Sequence, residues 1–330
     1  MMTIPDTEQL RSSQKSVHFP REEVAEADRK ARDKSHRYME LYPHMLIEDI
    51  SLRIMPTGGR TNNKNFRVEW ASEDTDVEAV IVQSISHHHR WGLAEAACEF
   101  FHDCAQTMMI YGIAVYEIVM FSSQDTGEAI NFRLVQINPD SLAITADSVI
   151  QNIPKSVAER HKINTEVSIP RDLTQIFLVP ESIRNKFDVV MDKLSMLSSP
   201  GPTELMFPEN TSTQSIPYDY SKHMRLRAIA ILDAVKEIGW NARRMPEEDD
   251  VLEYYWLERR LRFEEFLIDI RSCILAGLNE AVMKAGREIG FAGVIEIEGL
   301  PSLEDVEESR RRLSVGEGRF DEMLEPFTRV

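Results

Sequence analysis

The side chains that could carry chemistry are few and scattered. His87-His88-His89 is the most conspicuous cluster, because imidazole is a common ligand of zinc, copper and nickel. Three consecutive side chains, however, fan around a helix or alternate across a strand, and no HExxH or Cys/carboxylate spacing accompanies them. Cys98, Cys104 and Cys273 are odd in number, and the first two stand well round a helix from one another, which suits structural thiols in a reducing compartment better than a metal pair or disulfide. The acid pairs Glu247-Glu248, Asp249-Asp250 and Glu264-Glu265 read as solvated helix faces rather than acid–base dyads. No GxxxxGK[ST] loop, GxSxG elbow or GxGxxG turn occurs, so nucleotide hydrolysis and the common hydrolase chemistries have no support. The residues therefore predict a chain that is not an enzyme, with no catalytic group, no cofactor and no metal.

What remains is charge. Lys222, Arg225 and Arg227 open one long helical pattern, and Arg259, Arg260 and Arg262, followed by Glu264 and Glu265, lie in another. Such residues either touch a polyanion or pair with acids of an adjacent subunit, and the second reading fits an acidic protein better. All eight are candidate subunit-interface or channel residues. The 330 residues carry 38 basic and 55 acidic side chains, a formal charge of −17, which argues against gripping nucleic acid through many phosphate contacts. With 42% hydrophobic and 8% aromatic residues the chain can build substantial cores. Neither a run long enough to span a membrane nor a secretory leader is expected.

The elements that would position these side chains follow from apolar spacing. Residues 1–20 lack periodicity and read as an arm that orders on a neighbour or not at all, and Arg21 to Leu41 as a surface helix, or one lying on another subunit, that Pro43 helps to end. The stretch Leu46 to Trp70 alternates loosely, with Phe66 to Trp70 the better strand candidate. From Arg90 to Tyr111 the residues Leu93, Ala97, Phe100, Phe101, Cys104 and Met108 trace one helical face, and Gly112 stands where a left-handed cap belongs. Ile113 to Phe121 is nearly all apolar and predicts a buried strand, paired through a turn at 122–127 with the alternating strand Ala129 to Gln136. Short strands between Ile150 and Val179 precede a helix from Glu181 to Leu197 that shows Ile183, Phe187, Val190 and Leu194 on one side.

Residues 201–220 concentrate Ser, Pro, Thr and Asn and predict a linker. Two long helices then follow, 221–244 and 250–289, with a minimal connection near 245–249. Forty helical residues extend about 60 Å, so the second helix is a rod that needs neighbours. A strand at Gly293 to Leu300 and helices at 302–313 and 318–327 end the chain.

The order of these elements resembles the portal, or head-to-tail connector, proteins of tailed double-stranded DNA viruses. The carriers are a helix ending in Tyr111-Gly112, then YGIAVYEIVMF, a turn and INFRLVQINPDSL, and later the run from Arg259 to Gly290, similar to the helix that climbs from the channel stem into the wing. Portals usually insert a small mixed clip domain between the stem helices, where this chain has only residues 244–249. The resemblance implies an α+β, portal-like chain: an arm and surface helix at 1–45, a mixed α/β wing at 46–200, the linker 201–220, stem-type helices at 221–290 and a C-terminal strand and helices at 291–330. It also implies a homo-oligomeric ring, commonly a dodecamer, at one capsid vertex of a virion assembled in the host cytoplasm. Its partners would be capsid protein, packaging terminase, tail adaptors and double-stranded DNA passing without sequence specificity. The rival readings are a soluble, non-enzymatic scaffold or binding module that holds a partner with its long helices, and, more weakly, a metal-dependent enzyme around His87 to His89.

Overall fold

The computed structural model describes residues 40–55, 66–72, 76–86, 88, 91–123, 127–162, 164–198, 220–243, 253–320, 322–323 and 327, together with the backbone of 7–9. In chain order the elements are β1 (Thr7–Gln9), α1 (Leu41–Arg53), β2 (Arg67–Ala71), α2 (Asp76–Ile85), α3 (Leu93–Tyr111), β3 (Ile113–Ser123), β4 (Ala129–Ile137), β5 (Leu142–Ile144), β6 (Ser148–Asn152), α4 (Lys155–His161), β7 (Glu166–Pro170), β8 (Thr174–Leu178), α5 (Glu181–Ser198), α6 (Tyr220–Ala234), α7 (Glu253–Ile289), β9 (Val294–Glu298) and α8 (Leu303–Val315). The fold is mixed α+β with small antiparallel sheets.

Strand β3 explains its own composition. Ala114, Tyr116, Ile118 and Met120 point into the main core, whereas Val115, on the opposite face, enters a second core with Ile137, Val149, Ile153, Val157, Val167 and Ile169. Because both faces are covered, the strand reads as a continuous apolar run instead of an alternation. β4 pairs along one edge, with Ile118 opposite Leu134. The other edge is shared: β8 covers Ile113 to Glu117, and β1 covers Phe121 to Ser123. Upstream, α3 buries the face its spacing predicts, and Gly112 ends it in the left-handed conformation at φ 74°.

The rod α7 has 37 residues, about 55 Å at 1.5 Å per residue, and its neighbours come from its own chain. Phe263, Phe266, Leu267, Ile270, Ile274, Leu278 and Val282 face the main core, while Leu257, Leu261 and Ile268 face a separate cluster with Val306, Leu313, Met323 and Phe327. Phe187 of α5 stacks on Phe266, which stacks on Phe263, with centroids 6.1 and 6.2 Å apart. Where α7 crosses β8 the helix needs a residue without a side chain. A Cβ added to Gly277 would lie 2.5 Å from the Phe177 ring.

Several elements differ from the sequence expectation. Residues 46–53 are helical, because Leu46, Ile47 and Ile50 form a buried α-helical face, and Pro43 sits in the first turn of α1. Helices α2 and α4 went unpredicted. The first stem-type helix stops at Ala234, ten residues short of the expected end at 244, and the chain turns at 235–239 to bring Trp240 and Arg243 back onto α1. The main core draws on residues from Leu46 to Ile295, and β2 pairs with β9, so segments expected as wing and C-terminal portion are in contact. Residues 21–39 of the predicted helix, 201–219 of the linker and the connection 245–249 lie outside the described residues, as do most of the arm and parts of the last helix.

Gly277→Val is expected to lower the unfolding free energy by about 2 kcal/mol in chemical denaturation, since overpacking a tight crossing costs this order. Unchanged stability would contradict the close approach of α7 to Phe177.

Candidate functional site

The charged residues singled out in the sequence are separated by the helical turn of α7. Arg259 and Glu264 are each 5% exposed, buried within their own chain. The sequence led to the expectation of a channel wall or a subunit surface for them, whereas within this chain both are enclosed. Arg259 lies beneath the end of α6, where it donates from Nη1 to the Leu232 carbonyl at 3.1 Å and from Nη2 to the Trp240 carbonyl. Those carbonyls belong to a helix end and the turn beyond it, groups that an α-helix leaves without internal partners. Arg271, which the sequence reading overlooked, does the same for the end of α1, donating from Nε to Ile54 O at 2.8 Å and from Nη1 to Pro301 O at 3.2 Å.

Glu264 faces Arg260 at 2.6 Å, and Arg260 also donates to Phe327 O. Burial raises the Glu264 carboxyl above its ordinary 4.5, although Arg260, Arg271 and Arg53 pull the other way. Burial likewise lowers Arg271 to about 10 against the attraction of Glu264. Arg227 stacks its guanidinium 5.3 Å from the centroid of Tyr42, and Arg225 is exposed on the same helix. Lys222 falls within α6, with its side chain outside the described atoms.

Arg262 and Glu265 reach a common surface feature. They line an open groove of about 310 Å³ between α5, the end of α6 and α7, together with Lys186, Glu237, Asp269 and Arg310. Arg310 of α8 bridges to Glu265 at 2.5 Å, Arg262 holds Glu258 at 3.1 Å, and Ser182 donates to Asp269 at 3.2 Å. Three bases and three acids over a floor that includes Phe266 give a mixed-charge face. It is suited to another protein surface of mixed charge rather than to a polyanion. A second, larger groove of about 560 Å³ runs between the end of α3, the end of β8 and α5, with Tyr111, Leu178, Phe187 and Met191 as its apolar lining. Its arginine, Arg184, donates to Val179 O.

Reactive groups outside these grooves are held quiet. Burial pushes the Cys98 thiol up to about 12 and raises Cys104 and Cys273 as well, which removes thiolate character from all three. His88 stacks on Trp91 at 4.2 Å and places Nε2 3.5 Å from Glu99, while His87 and His89 lie outside the described residues. Among the described residues no group of three His, Cys, Asp or Glu side chains could hold a metal ion.

Two features escaped the sequence reading. One is a clamp between the turn after α6 and α1: Trp240 Nε1 donates to Asp49 at 2.7 Å, and Arg243 reaches Asp49 at 2.8 Å and Glu48 at 2.6 Å. It holds Ala242 and Arg243 in the left-handed region at φ 54° and 60°, which non-glycine residues seldom occupy. The other is apolar exposure. Leu226 and Ile229 of α6 are 57% and 55% exposed, and Tyr254 and Tyr255 at the start of α7 are 50% and 53% exposed. The signal for Leu226 and Ile229 was present in the sequence, three residues apart and off the buried stripe of Ala228, Ile231 and Val235.

The raised Glu264 carboxyl sets a pH dependence. Because its folded value exceeds the unfolded one, the stability linked to this group is complete below about pH 4.5 and is lost as pH rises through the folded value. Glu264→Gln keeps the neutral form at every pH, so its stability relative to the parent should increase from about pH 4 to about pH 8 in parallel thermal melts. A flat or falling difference would show that the arginines, not burial, dominate this carboxyl.

No protein-family model matches this chain, and a search of curated proteins finds no match to it.

Proposed function

We propose that this chain is a non-enzymatic, portal-like subunit that assembles into a ring at a capsid vertex, forming a channel for double-stranded DNA packaging and ejection and a platform for head–tail joining. The observation that carries the self-association half of this reading is the exposed apolar side chains on the two helices expected to meet neighbours, Leu226 and Ile229 on α6 and Tyr254 and Tyr255 on α7. Side chains of this size, half or more exposed on neighbouring stretches of chain, suit contact with protein. The order of α3, the β3–β4 hairpin and the long α7 supports the portal half through the resemblance it bears to that family. The formal charge of −17 is compatible with a channel that lets DNA slide, since a wall poor in phosphate contacts brakes it little. In this reading the mixed-charge groove at Arg262, Glu265 and Arg310 meets an adjacent copy, and capsid protein, terminase and tail adaptors are the further partners.

A second reading has its own support. α7 is clothed by its own chain, so the fold does not need neighbours to bury its rod, as a stand-alone scaffold or binding module requires. Light scattering on purified protein separates the two. The ring reading expects a particle of about a dozen chains, and Leu226→Asp combined with Ile229→Asp should reduce it to monomer with helical content retained. A parent protein that stays monomeric would overturn the ring and leave the binding module.

A further inference from the structure

We infer that Thr7–Gln9 is an exchangeable strand, which in the assembled protein completes the β3 edge of a second copy instead of its own. This rests on the self-association proposed above and names a contact that would accompany it. β3 has 11 residues and β8 only 5, so β8 leaves the far half of that edge uncovered. The backbone of β1 fills the end of the overhang in antiparallel register, with Thr7 opposite Ser123, Glu8 opposite Ser122 and Gln9 opposite Phe121. An edge of this kind is a template for any extended segment, because main-chain donors and acceptors give the affinity.

In the structure the strand is the chain's own, but the same bonds would form with the strand of a second copy, which is the condition under which identical protomers exchange an element. Two facts make the exchange accessible. Among the described residues the pairing is three residues long, so little is lost when the strand leaves its own edge. And residues 10–39 separate β1 from the rest of the described chain, a length that spans about 100 Å when extended, enough to reach an adjacent molecule of this size. Once copies are held side by side by other contacts, a neighbour's edge is present at high effective concentration, and a strand placed there ties two subunits together.

Paired cysteines decide between the two arrangements. In a Cys273→Ser background, Glu8→Cys is combined with Ser122→Cys, and separately Thr7→Cys with Ser123→Cys. Directly opposed residues alternate between wide and close pairs, so one of these combinations occupies the closer geometry. After mild oxidation, a non-reducing denaturing gel should show a ladder of covalent oligomers that collapses with reductant, and Glu8→Cys alone should show none. A cross-link confined to the monomer band, or none in either combination, would overturn the inference. Light scattering of the same samples keeps the outcomes distinct: oligomers that cross-link only within each chain sink the exchange and spare the ring reading, whereas monomers in solution sink both.

Discussion

A helix of 37 residues that carries arginines at positions 259, 260, 262 and 271 can run through a protein interior only if the guanidinium groups it buries find acceptors. Leaving a buried charge unpartnered costs several kcal/mol, more than most single contacts return. Arg259 meets the carbonyls at the end of α6 and Arg271 those at the end of α1, so each buried arginine closes a helix terminus that would otherwise be left open. The rest of the architecture depends on these junctions. They fix where α1 and α6 end against α7, and the Trp240 and Arg243 clamp then locks the turn after α6 to Asp49 on α1. Helices far apart in the chain are thereby welded to one spine, with β8 pressed on it through Gly277 and Phe177.

That arrangement alters what the charges are for. Exposed ion pairs such as Arg262 with Glu258 contribute little to stability and remain open to rearrangement against a partner. Buried ones such as Arg259 are committed to the fold. Adjacent residues on a helix point about 100° apart, and on α7 this is enough to send Glu264 inward to Arg260 and Glu265 outward to Arg310. Among the described residues, surfaces open to contact include the groove holding Arg262, Glu265 and Asp269, the groove beside Tyr111 and Met191, and the apolar side chains of α6 and the start of α7.

Elements with one buried face were legible in the sequence. The stripe Ile183, Phe187, Val190 and Leu194 is the buried face of α5, and the uninterrupted apolar run of β3 meant a strand covered on both sides. What failed had local signals pointing elsewhere. Pro43 looked like a stop but occupies a first turn, and α6 ends early because Trp240 and Arg243 have partners on α1, about 190 residues away in the chain. The candidate site was legible in part for a related reason. Periodicity locates the apolar stripe of a helix, but α7 is covered from two directions, and no spacing rule says which of its arginines a distant carbonyl will draw inward.

The spine α7 is supported by its own chain, and the self-association proposed above leaves that support in place. Hydrogen–deuterium exchange over residues 263–285, followed from concentrated protein to dilution well below any assembly threshold, tests it most directly. The account predicts that amides of this stretch stay among the slowest to exchange at every concentration, while protection at the start of α7 falls on dilution. Loss of protection across 263–285 on dilution would contradict it, because the rod would then owe its burial to other copies.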